Sequence, residues 1–267
     1  MSERWSLERI RAFWAEQAVL HGDSPKASWS DVHAIELEIQ NIAGFLEEGD
    51  RVLDVGCASG WSTVRWAAAQ NATVRGLDYV PEMVEQARAR AAALAPGLAG
   101  VVEFAVGDAT ALDEPDGSWN KVVATRVIIN LGDWERQRRA LSECARVVAP
   151  GGLLLLSEAT LQGWRRLNAM RAEWGLAEIP MPPFNAYLDQ EAVVAELAPS
   201  MQLLELRDFA SSYYVGTRVL KPLLARALGG TVDPAAPEME WNRWCAALPA
   251  AGDYGVQKLF VFQKRGR

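Results

Sequence analysis

The stretch Arg51-Val52-Leu53-Asp54-Val55-Gly56-Cys57-Ala58-Ser59-Gly60-Trp61-Ser62 constrains this chain more than any other. Positions 51–55 read as a buried strand, 56–60 as a loop of small residues, and position 61 as the opening of a helix. Glycines at 56 and 60 let the backbone turn sharply and let the helix start without a Cβ clash. The same alternation then repeats downstream. A helix over 61–70 leads to a strand at 73–77 that ends in Asp78. Pro81 sits where a first helical turn tolerates proline, and that helix runs to about Leu94 before Pro96-Gly97 stops it. A strand at 101–106 ends in Gly107-Asp108-Ala109. A nearly continuous apolar run at 121–129 reads as a fourth strand. A helix at 133–148 is terminated by Pro150-Gly151-Gly152, and Leu-Leu-Leu-Leu-Ser at 153–157 is a fifth strand. Apolar strands separated by helices indicate a parallel sheet covered on both faces. Right-handed crossovers make it a doubly wound α/β sheet, whose ligands bind beyond the carboxyl ends of the strands.

Around this core, at about 48–158, the chain carries extra material. Residues 1–47 read as a helical cap. It holds an amphipathic helix over 6–18 with Leu7, Ile10, Phe13, Trp14 and Val19, a loop at 21–30, and a helix over about 31–46. The second helix is capped by Ser30 or Asp31 and buries Ile35, Ile39, Ile42 and Leu46. Beyond residue 158 the alternation breaks. Segments near 160–190 and 211–250, the latter with Pro222, Pro234, Pro237 and Pro249, read as cap insertions in a domain spanning 48–267. Between and after them lie a helix at 189–198, a strand at 202–209 and a last strand at 257–263. No internal repeat is present.

Composition excludes several classes. The chain has 267 residues, half of them hydrophobic, and a net charge of −7, so bulk electrostatics disfavour a nucleic-acid partner. Arg136, Arg138 and Arg139 cluster, but Glu135 and Glu143 flank them, as on a solvated helix face. The first ten residues lack the apolar core of a signal peptide, and no apolar run nears the ~18 residues needed to span a bilayer. Three distant cysteines, Cys57, Cys144 and Cys245, and two histidines, His21 and His33, suit a reducing cytoplasm and give no basis for a disulfide framework or a metal site.

The strand ends carry the chemistry. A dinucleotide loop reads G-x-G-x-x-G. Here Ala58 takes the middle position, where a pyrophosphate requires glycine, and no third glycine follows at the required spacing. Asp78 ends the second strand some 20 residues after the loop, where an acidic side chain grips ribose hydroxyls; an N-cap is its other reading. A carboxylate at Asp108 can accept the exocyclic amine of adenine, or be an ordinary turn aspartate. Arg126, inside an apolar run, needs a partner because an unpaired buried charge is costly. It could hold a substrate anion or a cofactor carboxylate, or form a structural salt bridge.

Taken together, Val52 to Gly60, Gly76-Leu77-Asp78-Tyr79 with Met83, Gly107-Asp108-Ala109 and Arg146-Val147-Val148-Ala149-Pro150-Gly151-Gly152 resemble the motifs of the class I S-adenosylmethionine-dependent methyltransferases over residues 48–158. The resemblance implies a Rossmann-like, seven-stranded, mostly parallel sheet whose last strand is antiparallel. It implies S-adenosyl-L-methionine as cofactor. The cofactor-binding set would be Asp54, Gly56, Cys57, Ala58, Gly60, Asp78, Tyr79, Met83, Asp108, Ala109 and Arg126. Within it Gly56, Cys57 and Ala58 line the methionine end, Asp78 and Tyr79 hold ribose, Met83 lies against adenine, and Asp108 and Ala109 meet the adenine edge. The sequence departs from the pattern at Ala58 and at Trp119-Asn120, which leaves no catalytic aspartate entering the fourth strand. The segment Ala124 to Leu131 lacks the Asn/Asp-Pro-Pro-aromatic signature of base and amide methylators. The tail from Gly252-Asp253-Tyr254-Gly255 onward resembles bacterial biosynthetic-cluster methyltransferases.

Methyl transfer needs alignment of nucleophile, methyl and sulfur more than it needs side-chain chemistry. A base helps where the nucleophile keeps its proton. His21, His33, Glu158, Tyr213 and Tyr214 are candidates, with His33, Arg126 and Tyr214 carried forward as catalytic candidates and no single base assigned. Asn130 could orient a substrate hydroxyl or cap a turn. Trp29, Trp61, Trp164 and Trp174 flank the proposed site elements. The expectation is a cytoplasmic enzyme that methylates an oxygen, or next a nitrogen, of a small-molecule acceptor beneath a lid. A homodimer is open to it; a membrane or nucleic-acid partner is not expected. The competing readings are an NAD-dependent oxidoreductase and a non-catalytic cofactor-binding regulatory subunit.

Overall fold

The computed structural model describes residues 4–22, 24–229 and 240–266. Asp23 of the entry loop and the stretch with Pro234 and Pro237 lie outside the described residues.

Seven strands form one sheet: β1 (Arg51–Val55), β2 (Thr73–Asp78), β3 (Val101–Val106), β4 (Trp119–Thr125), β5 (Val148–Ala159), β6 (Met201–Arg207) and β7 (Gln257–Lys264). Their order is β3-β2-β1-β4-β5-β7-β6, and β7 runs antiparallel to both of its neighbours. The chain winds outward from β1 in one direction and from β4 in the other. The β1/β4 boundary is therefore the topological switch point, where such sheets open a crevice. Val52, Leu53, Val122, Val123, Leu154, Leu155 and Leu156 have no exposed surface, the signature of strands covered on both faces.

The crossovers follow the sequence. Helix α3 (Trp61–Gln70) links β1 to β2, and α4 (Pro81–Leu94) links β2 to β3. Between β4 and β5, α5 (Trp134–Val147) starts where the Asp133 carboxylate accepts the Arg136 amide at 3.0 Å. Two expectations change. The fourth strand stops at Thr125 rather than running to 129, because Arg126 adopts φ 53°. The Glu158 carboxylate then captures the next amides, from Val127 at 2.9 Å and Ile128 at 2.7 Å, and a 3-10 turn spans Ile128–Asn130. The fifth strand is longer than 153–157. Pro150-Gly151-Gly152 lies inside β5, accommodated by a register shift against β4 between Trp119 and Lys121.

The segments outside the sheet pack on one another at its carboxyl end. Helix α1 (Leu7–His21) buries Ile10 and Ala18, while Val19, expected on its apolar face, is 76% exposed. Helix α2 (Val32–Ala43) buries Ile35, Ile39 and Ile42; its cap is Asp31, whose Oδ1 accepts the Ala34 amide at 3.2 Å. The Trp5 amide donates to Pro183 O at 3.1 Å, and the Phe13 and Phe184 rings stack at 5.0 Å, joining α1 to the proline-rich stretch after α6 (Leu161–Glu173). The second late segment docks on the start of α2. There the Tyr213 hydroxyl and the Arg218 guanidinium both donate to Asp31, and the Asn242 amide donates to the Tyr213 hydroxyl at 3.2 Å. The three cysteines are buried and free.

Candidate functional site

The loop after β1 is built from left-handed residues: Gly56 at φ 77°, Ala58 at 46° and Gly60 at 71°. The Gly56 and Cys57 amides both donate to Leu77 O, at 2.7 and 2.9 Å, which ties the loop to β2. A Cβ on Gly56 would lie 2.6 Å from the Val127 Cβ, so only glycine lets the β1 loop pass under the segment after β4. Gly60 has a different neighbour. A Cβ there would lie 2.7 Å from the Phe104 ring, so Gly60 packs against β3 and stays outside the cleft lining.

Asp78 does two jobs at once. Its Oδ2 accepts the Ala58 amide and its Oδ1 the Val80 amide, both at 2.9 Å. The carboxylate thus braces the β1 loop and the entry to α4 while lining the cleft. Burial pushes it up to about 6, against the pull of those amides. Asp54, 1% exposed, receives the Thr63 hydroxyl on Oδ2 at 2.6 Å, and its Oδ1 has no partner. Burial, opposed by the Thr63 hydrogen bond and reinforced by Asp78 and Glu38, pushes it up to about 7. Beyond β3, Asp108 is exposed, and its Oδ1 accepts the Thr110 amide and hydroxyl, each at 2.8 Å.

Arg126 ends β4 in the left-handed region, a conformation a non-glycine residue keeps only when its surroundings over-determine it. Here they do. Its amide donates to Ser157 O at 2.9 Å, and its carbonyl accepts the Asn130 side-chain amide at 2.6 Å. Its guanidinium pairs with Glu38 of α2 and lies 5.3 Å over the Trp29 ring. Glu38, 2% exposed, also accepts the Ser157 hydroxyl at 2.5 Å and the Gln257 amide at 2.7 Å. Burial pushes Glu38 up, and Arg126 opposes the shift. Among the described residues, Glu158 pairs with no cation. Burial pushes it up to about 8, and its oxygens serve the amides of the 3-10 turn.

These strand ends open on one cleft with about 1350 Å³ of free space, its open mouth included. Asp54, Gly56, Cys57, Ala58, Asp78, Tyr79, Met83, Asp108, Ala109 and Arg126 all line it. Leu7 and Trp14 of α1, Ser28, Ile35 of α2, Val127, Asn130, Leu131, Arg136 and Arg139 are also part of the wall. Other sequence candidates lie elsewhere. His33 is on α2 outside the lining. Tyr213 and Tyr214, 1% and 5% exposed, pack in the core, and burial pushes both phenols up. Sequence reasoning missed Glu38 as the partner of Arg126. The signal was present: Ile35, Glu38, Ile39 and Ile42 fall on one face of α2, so a carboxylate sits among buried isoleucines.

The cleft fits an adenosine-bearing amino-acid cofactor on this chain's own features: a loop with Ala58 where a pyrophosphate needs glycine, a braced acid at Asp78 and an unpartnered carboxylate oxygen at Asp54. Residues 52–152 match the family described as "Methyltransferase domain". The chain is 31% identical over 208 residues to Methyltransferase GfsG of Streptomyces halstedii, spanning 78% of this chain and 66% of that protein. The chain belongs to the S-adenosylmethionine-dependent methyltransferases. Their cofactor, S-adenosyl-L-methionine, is its cofactor. This methyltransferase is also 37% identical over 117 residues to 27-O-demethylrifamycin SV methyltransferase of Amycolatopsis mediterranei, covering 43% of this chain and 41% of that one. It thus spans about two fifths to two thirds of the length of these relatives. Among solved structures, the [4+2]-cyclase SpnF shares the fold with a TM-score of 0.64 at 20% identity, over 99% of this chain and 98% of that one. Among the described residues, no helix of the methyltransferase is long and apolar enough to cross a membrane.

Proposed function

We propose that the chain binds S-adenosyl-L-methionine along the cleft and transfers its methyl group to an oxygen, or a nitrogen, of a small-molecule acceptor. One observation carries the reading. Residues from three separate strand ends, Gly56 to Ala58, Asp78 with Tyr79, and Asp108 with Ala109, line one continuous cleft. When bound, the cofactor supplies an electrophilic methyl on a sulfonium. The chain supplies the rest. The turn at Gly56, Cys57 and Ala58 cradles the amino-acid end, with Asp54 beneath it and Arg126 opposite. Asp78 has lone pairs left after bracing two amides and takes the ribose hydroxyls beside Tyr79. Met83, Asp108 and Ala109 receive the adenine.

Leu7, Trp14, Ile35, Val127 and Leu131 keep water from the acceptor side, so that alignment does most of the chemical work. Helices α1 and α2, whose Leu7, Trp14 and Ile35 line the cleft, act as a lid backed by the described residues of the segments 160–190 and 211–250, which suits a metabolite or natural product. This agrees with a relative named as a 27-O-demethylrifamycin SV methyltransferase. The reading extends to a cytoplasmic setting, to a partner set without nucleic acid and to pairing of two copies; light scattering coupled to size exclusion decides the last. The oxidoreductase reading is not favoured, given the family match and Ala58 where a pyrophosphate needs glycine.

Calorimetry tests the binding claim. S-adenosylmethionine and its demethylated product should bind and NAD should not, and Asp78→Ala should weaken both ligands by at least tenfold. Unchanged binding in Asp78→Ala would remove the ribose assignment. A screen of hydroxyl- and amine-bearing natural products with methyl-labelled cofactor then identifies the acceptor. Cofactor binding without label transfer to any of them would favour the regulatory-subunit reading.

A further inference from the structure

The arginine cluster of α5 is not one solvated face. Gln137, Ala140, Leu141 and Cys144 make the buried side of the helix. Arg138 turns toward α7 (Gln190–Leu197), where it meets Glu196 at 3.8 Å. Arg136 and Arg139, three residues apart and so neighbours on one face, both line the cleft. Only carboxylates at the start of α5 answer them. Arg136 pairs with Asp133, and Arg139 with Glu135 at 3.5 Å, and all four side chains are at least 47% exposed. Such solvated pairs are worth little, so either guanidinium can exchange its partner for a ligand.

Further positive charge comes from α1. Arg11 lies between Leu7 and Trp14 at the spacing that puts all three on one helix face, and its guanidinium stands 5.9 Å from the centre of the Tyr79 ring. The Arg4 guanidinium donates to Gly132 O at 3.3 Å, beside the start of α5. Among the described residues neither Arg4 nor Arg11 pairs with a carboxylate. The acids nearby are Asp133, Glu135 and, next to Leu7 on α1, the exposed Glu8. Within the lining, Asp54 and Asp78 are buried, and Asp108 is engaged by Thr110. Arg126, the remaining cation of the lining, is taken by Glu38. A chain of net charge −7 therefore keeps two replaceable guanidiniums in the wall of its cleft.

We propose that the acceptor carries an anionic group, a carboxylate or a phosphate monoester, which Arg136 and Arg139 grip while the atom to be methylated faces the cofactor. The inference rests on the reading of this cleft as the S-adenosylmethionine site. Planar guanidiniums meet either anion through paired N–H donors. The cofactor has no phosphate, and its own carboxylate belongs to the end at Gly56, Cys57 and Ala58 opposite Arg126, which leaves these two arginines for the acceptor. The acids Asp54 and Asp78 give an anion nothing to bind on the floor, so the anionic end stays at the arginine wall and the acceptor enters in one orientation.

The test uses the whole chain saturated with the demethylated cofactor, so that only the acceptor side is open. Three probes are titrated by NMR: benzoate, phenyl phosphate and the uncharged benzamide. At low salt at least one anion should bind about tenfold more tightly than benzamide, and the better of the two shows whether carboxylate or phosphate is the group recognised. Raising sodium chloride from about 30 mM to about 300 mM should remove most of that preference. Arg136→Gln combined with Arg139→Gln should abolish it, whereas Arg138→Gln, on the α7 side of the same helix, should leave it unchanged. Neither anion binding better than benzamide to the wild-type chain, or a preference that survives the double variant, would overturn the proposal and leave the cofactor site standing. Weaker binding of the demethylated cofactor by the double variant would put the two arginines on the cofactor and overturn it as well. A wild-type chain that binds no demethylated cofactor would remove the site reading and the proposal with it.

Discussion

At Gly56 a methyl group has nowhere to go. The backbone is left-handed, and Val127 stands 2.6 Å from the position a Cβ would take. Gly56→Ala should cost about 1–3 kcal/mol and also displace the loop, so that S-adenosylmethionine affinity falls more than stability accounts for. Denaturant titration and calorimetry on the same variant separate the two. Arg126 is a different kind of constraint. Arg126→Met leaves Glu38 buried without its cation, a change worth about 3–5 kcal/mol. Adding Glu38→Gln should recover much of that loss, and a double-mutant cycle by urea unfolding reads the coupling. At this scale the sequence was informative in an uneven way. The need of Arg126 for a partner could be read from its apolar neighbours, but which carboxylate answers it depends on α2 crossing the switch point, a contact 88 residues away in sequence. Gly60 shows the converse. Its place in the motif suggested a ligand contact, whereas its reason for being glycine is the Phe104 ring behind it.

The short segment after β4 takes its shape from a tertiary partner. Apolar periodicity extended that strand to residue 129, and nothing local contradicts the reading. What ends it is Glu158, delivered from β5, whose carboxylate collects successive amides of the 3-10 turn at Ile128–Asn130. Removing it strands buried donors, each costing about 1–3 kcal/mol. Glu158→Ala should therefore destabilise the chain strongly and raise the apparent KM for acceptor, whereas Glu158→Gln, which keeps one accepting oxygen, should be much milder. Urea unfolding and initial-rate kinetics on the two variants check this. Apart from β4 and β5, the strands and the helices α3 to α5 were legible to within a residue or two, while α1 and α2 each differ by three residues at their carboxyl ends. α3, α4, β1 and β3 begin and end where their glycines, prolines and apolar runs place them, because their boundaries are set by local chain chemistry. The end of β4 and the full length of β5 are set by tertiary partners.

For the whole molecule, the buried acids imply a pH response of stability. Asp78, Asp54 and Glu158 are pushed up to about 6, 7 and 8. For each, the unfolded chain ionises near pH 4 while the folded chain holds its proton. The folded state therefore binds more protons between those values, and stability falls as pH rises. Without ligand, the melting temperature should decline from pH 5 to pH 8.5, and Asp54→Asn should flatten the part of the decline near pH 7. Differential scanning calorimetry across that range checks it, and a flat or rising profile would count against the buried-acid picture.

The sheet order has a consequence for the making of the protein. β6, at the sheet edge, is hydrogen-bonded to β7 and to no other strand, and β7 is read from the gene some fifty residues after β6. On the ribosome, the strands up to β5 can join as they emerge, but β6 must wait without a partner, its backbone donors and acceptors unsatisfied, until β7 slots between it and β5. The last-made strand is the keystone of that half of the sheet. A nascent chain stalled just short of it presents an open β5 edge and a loose β6, the state in which chaperone capture or aggregation competes with folding.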